Sequence, residues 1–256
     1  MEIRTVREGE TEAFLELLCD VFHLDIARAR SVFYSEPFYD PGRKWALFEG
    51  SRLVSILTTV PLEFGWGNAV GIAGVATCED RQGRGYAIRL IEHVLEQGKK
   101  NGEEAAYLFA RDPRVYLKVG FEILDEAILA PIEGVSSFVM PRTLSFDETR
   151  SVYEAWSNGD PSRLCRDERR WNYWKWNLRI CTAHEAGYLC LEGDRVRECV
   201  PGGGEAPWPV PDRTQWFGLR TMAQQTGAPI GPVNVEQFLL GWKSPVMPQF
   251  FMTDQF

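Results

Sequence analysis

Gly74-Val75-Ala76-Thr77-Cys78-Glu79-Asp80-Arg81-Gln82-Gly83-Arg84-Gly85-Tyr86-Ala87 is the stretch that decides the fold. Its first residues suit a buried strand. A short polar turn follows, then a Gly-rich loop that opens an amphipathic helix. The first amides of a helix have no partner within it, and the helix dipole adds positive potential at that end. Gly83 and Gly85 leave the backbone bare for a close ligand and tolerate positive φ, and Arg84 adds a cation beside them. The turn is thus an anion site, read here as a seat for a pyrophosphate. On glycine spacing alone an ordinary strand-to-helix turn reads equally well. Two other phosphate turns are excluded. No Gly-Lys-Ser/Thr follows, and Gln82-Gly83-Arg84-Gly85 is not Gly-x-Gly-x-x-Gly.

Working outward, Ile3 to Arg7 alternates as a first strand, and Glu10 to Phe22 carries Phe14, Leu17, Leu18 and Val21 on one helical stripe. A second helix is expected over Asp25 to Phe33, ended by Pro37. Trp45 to Phe48 and Leu53 to Val60 read as strands joined at Glu49-Gly50-Ser51. Phe64 to Val70 reads as a connection, and Gly71 to Thr77 as the strand leading into the loop. The helix after the loop runs from Gly85 to Lys100, with Ala87, Ile88, Ile91, Val94 and Leu95 at helical spacing, and Asn101-Gly102 stops it. Ala105 to Ala110 is an apolar strand, Pro113 to Val119 a short helix, and Phe121 to Leu129 a further strand.

Gly, Ser and two Pro in Pro131 to Thr143 mark a boundary, which divides the chain into domains 1–135 and 141–256. In the second, helices are expected over Asp147 to Trp156 and Asp167 to Leu178. A hairpin follows across Glu192-Gly193-Asp194. Gly202 to Pro211 reads as a loop, Thr214 to Gln225 as a helix and Gln237 to Leu240 as a strand. The fold class is mixed α/β: a mostly antiparallel sheet flanked by helices, with a smaller α+β second domain.

The 256 residues are 45% hydrophobic with a net charge of -8, enough apolar material for a core and the wrong sign for a phosphate-gripping nucleic-acid protein. Six cysteines lack Cys-x-x-Cys spacing, and His23, His93 and His184 lack metal-ligand spacing, so no metal is expected. With no apolar leader and no run of membrane-span length, a cytoplasmic protein that uses neither membrane nor nucleic acid is the expectation.

Gln82-x-x-Gly85-x-Ala87 after a β-strand, preceded by Gly74-Val75-Ala76-Thr77, resembles the acetyl-CoA signature of the GCN5-related N-acetyltransferase (GNAT) family. The element order of the first half is similar to that family's. Downstream, Tyr116-x-x-x-Gly120-Phe121 resembles the family's Tyr-bearing short helix. The resemblance implies that the backbone of Val75, Ala76 and Thr77 pairs with the pantetheine arm of acetyl-CoA. It implies further that Gln82, Gly83, Arg84, Gly85, Tyr86, Ala87 and Ile88 hold the pyrophosphate, with Arg111 and Asp112 near the cofactor. Tyr116 would protonate the departing thiolate. A phenol, with a pKa of about 10, holds the needed proton at neutral pH. Taken alone, Tyr116 reads as a packed tyrosine. Glu79 departs from the family, which often has Pro there, so the path from Cys78 to Arg81 is less constrained.

The implied activity is transfer of an acetyl group from acetyl-CoA to an amine by direct attack. The alternative is a non-catalytic acetyl-CoA sensor or scaffold. No motif supplies the base; Glu63, a water relay and the chain's terminal carboxylate are candidates. The last rests on a partial similarity to the enhanced-intracellular-survival subgroup. That subgroup has a second, degenerate acetyltransferase-like domain and uses its terminal carboxylate as base. The apolar tail Phe250 to Phe256 is expected to pack, either in a core or with Phe256 toward the site. Trp171, Trp174 and Trp176 read as domain packing, with a substrate-stacking wall as the alternative. The second domain would close one wall of the acceptor cleft, and a homo-oligomer is possible.

Overall fold

The structure is a computed structural model that describes residues 1–133, 141–204 and 207–256. The boundary read over Pro131 to Thr143 falls largely outside the described residues, as does a small part of the loop read over Gly202 to Pro211.

In chain order the strands are β1 (Glu2–Thr5), β2 (Lys44–Glu49), β3 (Arg52–Phe64), β4 (Gly67–Thr77), β5 (Glu103–Ala110), β6 (Glu122–Pro131), β7 (Leu164–Cys165), β8 (Ile180–His184), β9 (Gly187–Glu192), β10 (Arg195–Val200), β11 (Gln215–Leu219) and β12 (Asn234–Trp242). The helices are α1 (Thr11–Phe22), α2 (Ile26–Phe33), α3 (Tyr86–Lys100), α4 (Arg114–Leu117), α5 (Phe146–Ser157), α6 (Glu168–Trp176) and α7 (Arg220–Gln225). All strands join one sheet in the order β1-β2-β3-β4-β5-β12-β6-β11-β10-β9-β8, with β7 added to β3. Pairing is antiparallel except at β4–β5 and β10–β11. β12, from the second half of the chain, lies between β5 and β6 of the first.

Two helical layers cover the first half of the sheet. Leu90, Ile91, Val94 and Leu95 of α3 pack on Leu57, Val70, Ile72 and Leu108. On the other face Phe14, Leu15 and Leu17 of α1 pack on Ala46, Phe48, Ile56 and Ala76. The alternation of Ile56 with Leu57 sends neighbours to opposite faces, as the period of a strand requires.

Three expectations are corrected. The connection read over Phe64 to Val70 is a tight hairpin at Gly65-Trp66, because β4 pairs with β3 from Gly67 onward. The helix read from Thr214 starts only at Arg220; Gln215–Leu219 is held between β6 and β10 and takes strand geometry from its neighbours. The helix read to Leu178 ends at Trp176, and Leu178 has φ 52° and stands exposed. Ile180–His184, which carried no clear signal, pairs with β9.

The second half is built on a buried aromatic cluster. Trp171 and Trp174 are fully or nearly fully buried with Tyr153, Trp156 and Phe251, so both serve packing. Trp176 is the outer member, stacked on Tyr173. Through the cluster runs Arg166, with no side-chain exposure. Its guanidinium lies 3.7 Å from the Tyr153 ring centroid. It donates to Asp254 at 2.7–3.2 Å and to Glu198 at 2.7 and 3.1 Å. Tyr188 and Thr253 also donate to Glu198. The network ties the tail to β10 and to the segment before α6.

Removing Arg166 strands two buried carboxylates. Arg166→Leu is expected to cost about 3–5 kcal/mol, whereas replacing all three members by apolar residues of similar volume comes out nearer neutral. Urea unfolding of the two variants checks this; equal losses would contradict it.

Candidate active site

β4 and β5 run parallel from Asn68 opposite Glu103 to Ile72 opposite Leu108, with one register shift between Asn68 and Ala69, and there the pairing stops. The cause lies on the β3 side of β4. Ile56 pairs with Ala76 and Thr58 with Ala73, so Leu57 alone faces Gly74 and Val75. This is a β-bulge, and Gly74 takes the left-handed conformation at φ 59° that it needs. The bulge bends β4 away from β5. Beyond Ile72, Val75, Ala76 and Thr77 keep β3 on one side and no strand on the other. Thr77 is held by Ser55, whose hydroxyl lies 2.9 Å from the Thr77 hydroxyl.

The loop after β4 is braced from behind. Glu79–Arg81 forms one turn of 3₁₀ helix. Arg52 makes a two-point ion pair with Asp80, at 2.9 and 3.0 Å. Glu49 accepts from Arg81 at 2.8 Å and from the hydroxyl of Tyr86. The Tyr86 ring is therefore buried against Leu47 and Val54, and only its backbone is available to a ligand. Gln82 Nε2 donates to the Thr77 carbonyl at 3.2 Å. Gly83 and Gly85 both have φ 75°, and a Cβ at either would meet open space. Gly85 caps α3, so the amides of Tyr86, Ala87 and Ile88 lie in a first helical turn with no acidic side chain.

The divergence of β4 and β5 opens a cleft of about 570 Å³. Its lining includes Gly74, Val75, Arg111, Asp112, Tyr116 and Phe256. Asp112 is paired with Arg114 at 2.5–2.9 Å, which lowers its pKa to about 2. Burial raises the pKa of the Tyr116 phenol, and the charge of Asp112 adds to it. Of the residues singled out in the sequence, the fold gathers Val75, Arg111, Asp112, Tyr116 and Phe256 around one opening. Ala76, Thr77 and residues 82–88 stand along the strand and loop that lead from it. Glu63 is not among them. It pairs with Asn68 and Cys165 at the hairpin end of β3 and lines a separate cavity with Arg43 and Glu103.

A second cavity, of about 230 Å³, lies on the α1–α2 face of the sheet. It touches the first at Ala73, Gly74 and Phe256. Its walls come from both halves: Phe33 and Glu36 from around α2, Lys44 from β2, Arg170 and Tyr173 from α6, and Asp254 from the tail. Of these six side chains, Phe33, Glu36, Lys44 and Arg170 carried no functional signal in the sequence, since nothing local marks a residue as facing a cavity. The tail is buried from Phe250 to Asp254. The Phe256 ring rests on Phe109 and Phe250 and fills the space above Gly71, where a Cβ would come within 2.7 Å of it.

Residues 2–124 match the family model described as acetyltransferase (GNAT) domain. Three crystal structures are similar over most of the chain. A GCN5-related N-acetyltransferase from Anabaena variabilis has TM-score 0.71 at 15% identity, covering 94% of this chain and 72% of that one. One from Kribbella flavida has TM-score 0.69 at 16% identity, covering 93% and 71%. Eis1 from Mycobacterium abscessus has TM-score 0.63 at 14% identity, covering 93% and 73%. No curated protein matches the chain. The fold and the domain match define the class: residues 2–124 form a GNAT acetyltransferase domain, and the likeness to the solved structures extends that fold over most of the chain. Among the described residues no helix is long and apolar enough to cross a membrane, and no three His, Cys, Asp or Glu side chains gather as a metal site.

The Tyr116 phenol is expected to ionise above its ordinary value of 10.0. A raised phenol pKa favours folding below the unfolded value, and that contribution is lost as pH rises through the folded one. The ultraviolet difference titration between wild type and Tyr116→Phe should therefore show one phenol ionising above pH 10, lowered by Asp112→Asn. Ionisation at or below the ordinary value would contradict the burial of this group.

Proposed function

We propose that the chain moves the acetyl group of acetyl-CoA to the amine of a small acceptor by direct attack. The observation that carries this reading is the contact of the two cavities at Ala73, Gly74 and Phe256. One opens beside the strand that suits the cofactor; the other is a smaller chamber on the α1–α2 face, suited to an acceptor. The donor's pantetheine arm pairs with the free edge of Val75, Ala76 and Thr77, as an added strand would. Its pyrophosphate sits on the backbone of residues 82–88, with Arg84 as a nearby cation.

Attack of the neutral amine nitrogen on the thioester carbonyl carbon forms a tetrahedral intermediate. Collapse breaks the carbon–sulfur bond, and the thiolate takes the proton of Tyr116. The amine proton must leave as well, and a water relay is the proposed acceptor for it. Backbone amides at the bulge stabilise the oxyanion. Residues 141–256 act as the acceptor-side unit, since α6 and the tail wall the second cavity.

Tyr116→Phe is expected to lower kcat by about 10²–10⁴-fold, the usual worth of a positioned acid, with acetyl-CoA affinity unchanged. Thiol release and calorimetry check the two quantities; an unchanged kcat would remove Tyr116 from the mechanism. Gly85→Val forces a β-branched residue to φ 75° and places a side chain on the anion face. It is expected to weaken acetyl-CoA binding at least tenfold in the same calorimetry, and binding at wild-type strength would move the pyrophosphate elsewhere.

A further inference from the structure

The chamber next to the bulge is small. Its volume of about 230 Å³ falls below the ~300–1,000 Å³ usual for drug-sized ligands. Its size suits a small metabolite.

Its chemistry centres on Lys44. Lys44 lies opposite Thr58, and Thr58 opposite Ala73, so the three occupy one row across three strands. Directly opposed residues share a face, and neighbouring strands are about 4.8 Å apart. The Lys44 stem therefore starts about two strand spacings from the bulge, on the chamber's side of the sheet. Its side chain is only 3% exposed. An ammonium has three donors. The nearest carboxylate oxygen, on Glu36, is 3.9 Å away, beyond hydrogen-bond reach. The other neighbours are rings: Phe33 at 4.4 Å, Phe14 at 5.7 Å and Tyr39 at 5.8 Å from their centroids. Rings attract the cation but are poor hydrogen-bond acceptors, and among the described residues no oxygen lies within hydrogen-bond reach of Nζ, which leaves its donors to whatever enters the chamber. A buried cation in this condition is costly, and burial lowers its pKa against the pull of Glu36.

Arg170 is the second cation of the chamber. It donates to the Pro61 carbonyl at 2.8 Å and lies 3.9 Å from Asp254. Asp254 is already occupied by the guanidinium of Arg166. The chamber thus holds donors short of acceptors at one end and meets the thioester position at the other.

We propose that the acceptor is a small amino acid-type amine whose carboxylate Lys44 binds while its amine faces Gly74. This rests on the acceptor reading of the chamber given above. Phe33, Phe38 and Tyr173 supply the apolar wall for the rest of the molecule. Glu36, half-buried beside Lys44, keeps the site close to neutral when empty and disfavours a second negative charge on the acceptor.

The test compares paired amines that differ only by the carboxylate: histidine with histamine, tyrosine with tyramine, phenylalanine with phenethylamine, and lysine with cadaverine. Thiol release is followed with acetyl-CoA, whose binding is measured by calorimetry on every variant. In at least one pair the amino acid is expected to have kcat/KM at least tenfold above its decarboxylated partner. Lys44→Met should collapse that ratio toward one through KM, and Lys44→Arg should preserve it. The inference is overturned if the decarboxylated amines react as well or better, or if Lys44→Met keeps the ratio. It is also overturned if a protein that binds acetyl-CoA acetylates none of the four amino acids. Failure to bind acetyl-CoA at all would instead overturn the proposed function.

Discussion

Everything at the site depends on a strand that loses its partner inside the molecule. β4 is hydrogen-bonded on both sides up to Ile72 and on one side after it. Backbone amides and carbonyls away from water must find partners, and a row of them without one is a standing demand for a ligand that can act as a strand. Lateral pairing with β5 would have been the cheapest answer. The bulge at Gly74 removes that option by adding one residue to β4 that β3 does not match. A single residue of mismatch therefore creates the cleft and also fixes where along β4 it begins.

A divergence of this kind needs to be held from both sides. On the β4 side, α3 and α1 clamp the strand's two faces. On the β5 side the support comes from the far end of the chain. β12 pairs with β5 from Ala106 to Ala110 and with β6 beyond it, so β5 cannot drift across to fill the gap. The tail is held as firmly. Arg166 carries both Asp254 and Glu198 on one guanidinium, and its plane rests on Tyr153 and Trp171. A buried ion network of this sort contributes less to net stability than its hydrogen bonds suggest. Its effect is positional: the tail that ends at Phe256 is delivered between the two cavities.

The proposed donor side was legible in the sequence because its signals are local. A glycine pair with positive φ at a helix entry, a strand before it and a stopped helix after it need only neighbouring residues to be read. Gly83, Gly85 and the cap at Asn101-Gly102 all stand as that reading has them. The hairpins at Gly50 and Gly193 were legible for the same reason. The misread segments are those whose state is set by distant partners. Gln215–Leu219 has helix-like spacing by itself and becomes a strand because β6 and β10 flank it. Glu63 looked like a strand-end base, but register sends it to the opposite end of β3 from the bulge. Lys44 sits in an ordinary strand run, Lys44-Trp45-Ala46-Leu47, and nothing in those letters distinguishes a solvated lysine from one enclosed by three rings.

The acceptor side is long-range by construction, and that has a chemical consequence. Its walls are drawn from α2, β2, α6 and the tail, so its charge pattern is a property of the assembled molecule and not of any motif. Within it the acidic members are unequally engaged. Asp254 is committed to Arg166, whereas Glu36 has Lys44 at 3.9 Å and the charge of Arg169 near it. The cations are unequally engaged too, with Arg170 tied to the Pro61 carbonyl and Lys44 offered no oxygen within hydrogen-bond range among the described residues. Subtracting the committed groups leaves one ammonium with spare donors and one loosely held carboxylate facing a space the size of a small metabolite. A chamber of uncommitted opposite charges selects against a molecule with a large charge of either sign. It favours one that carries its own positive and negative groups, placed so that the amine faces the bulge while the carboxylate meets Lys44.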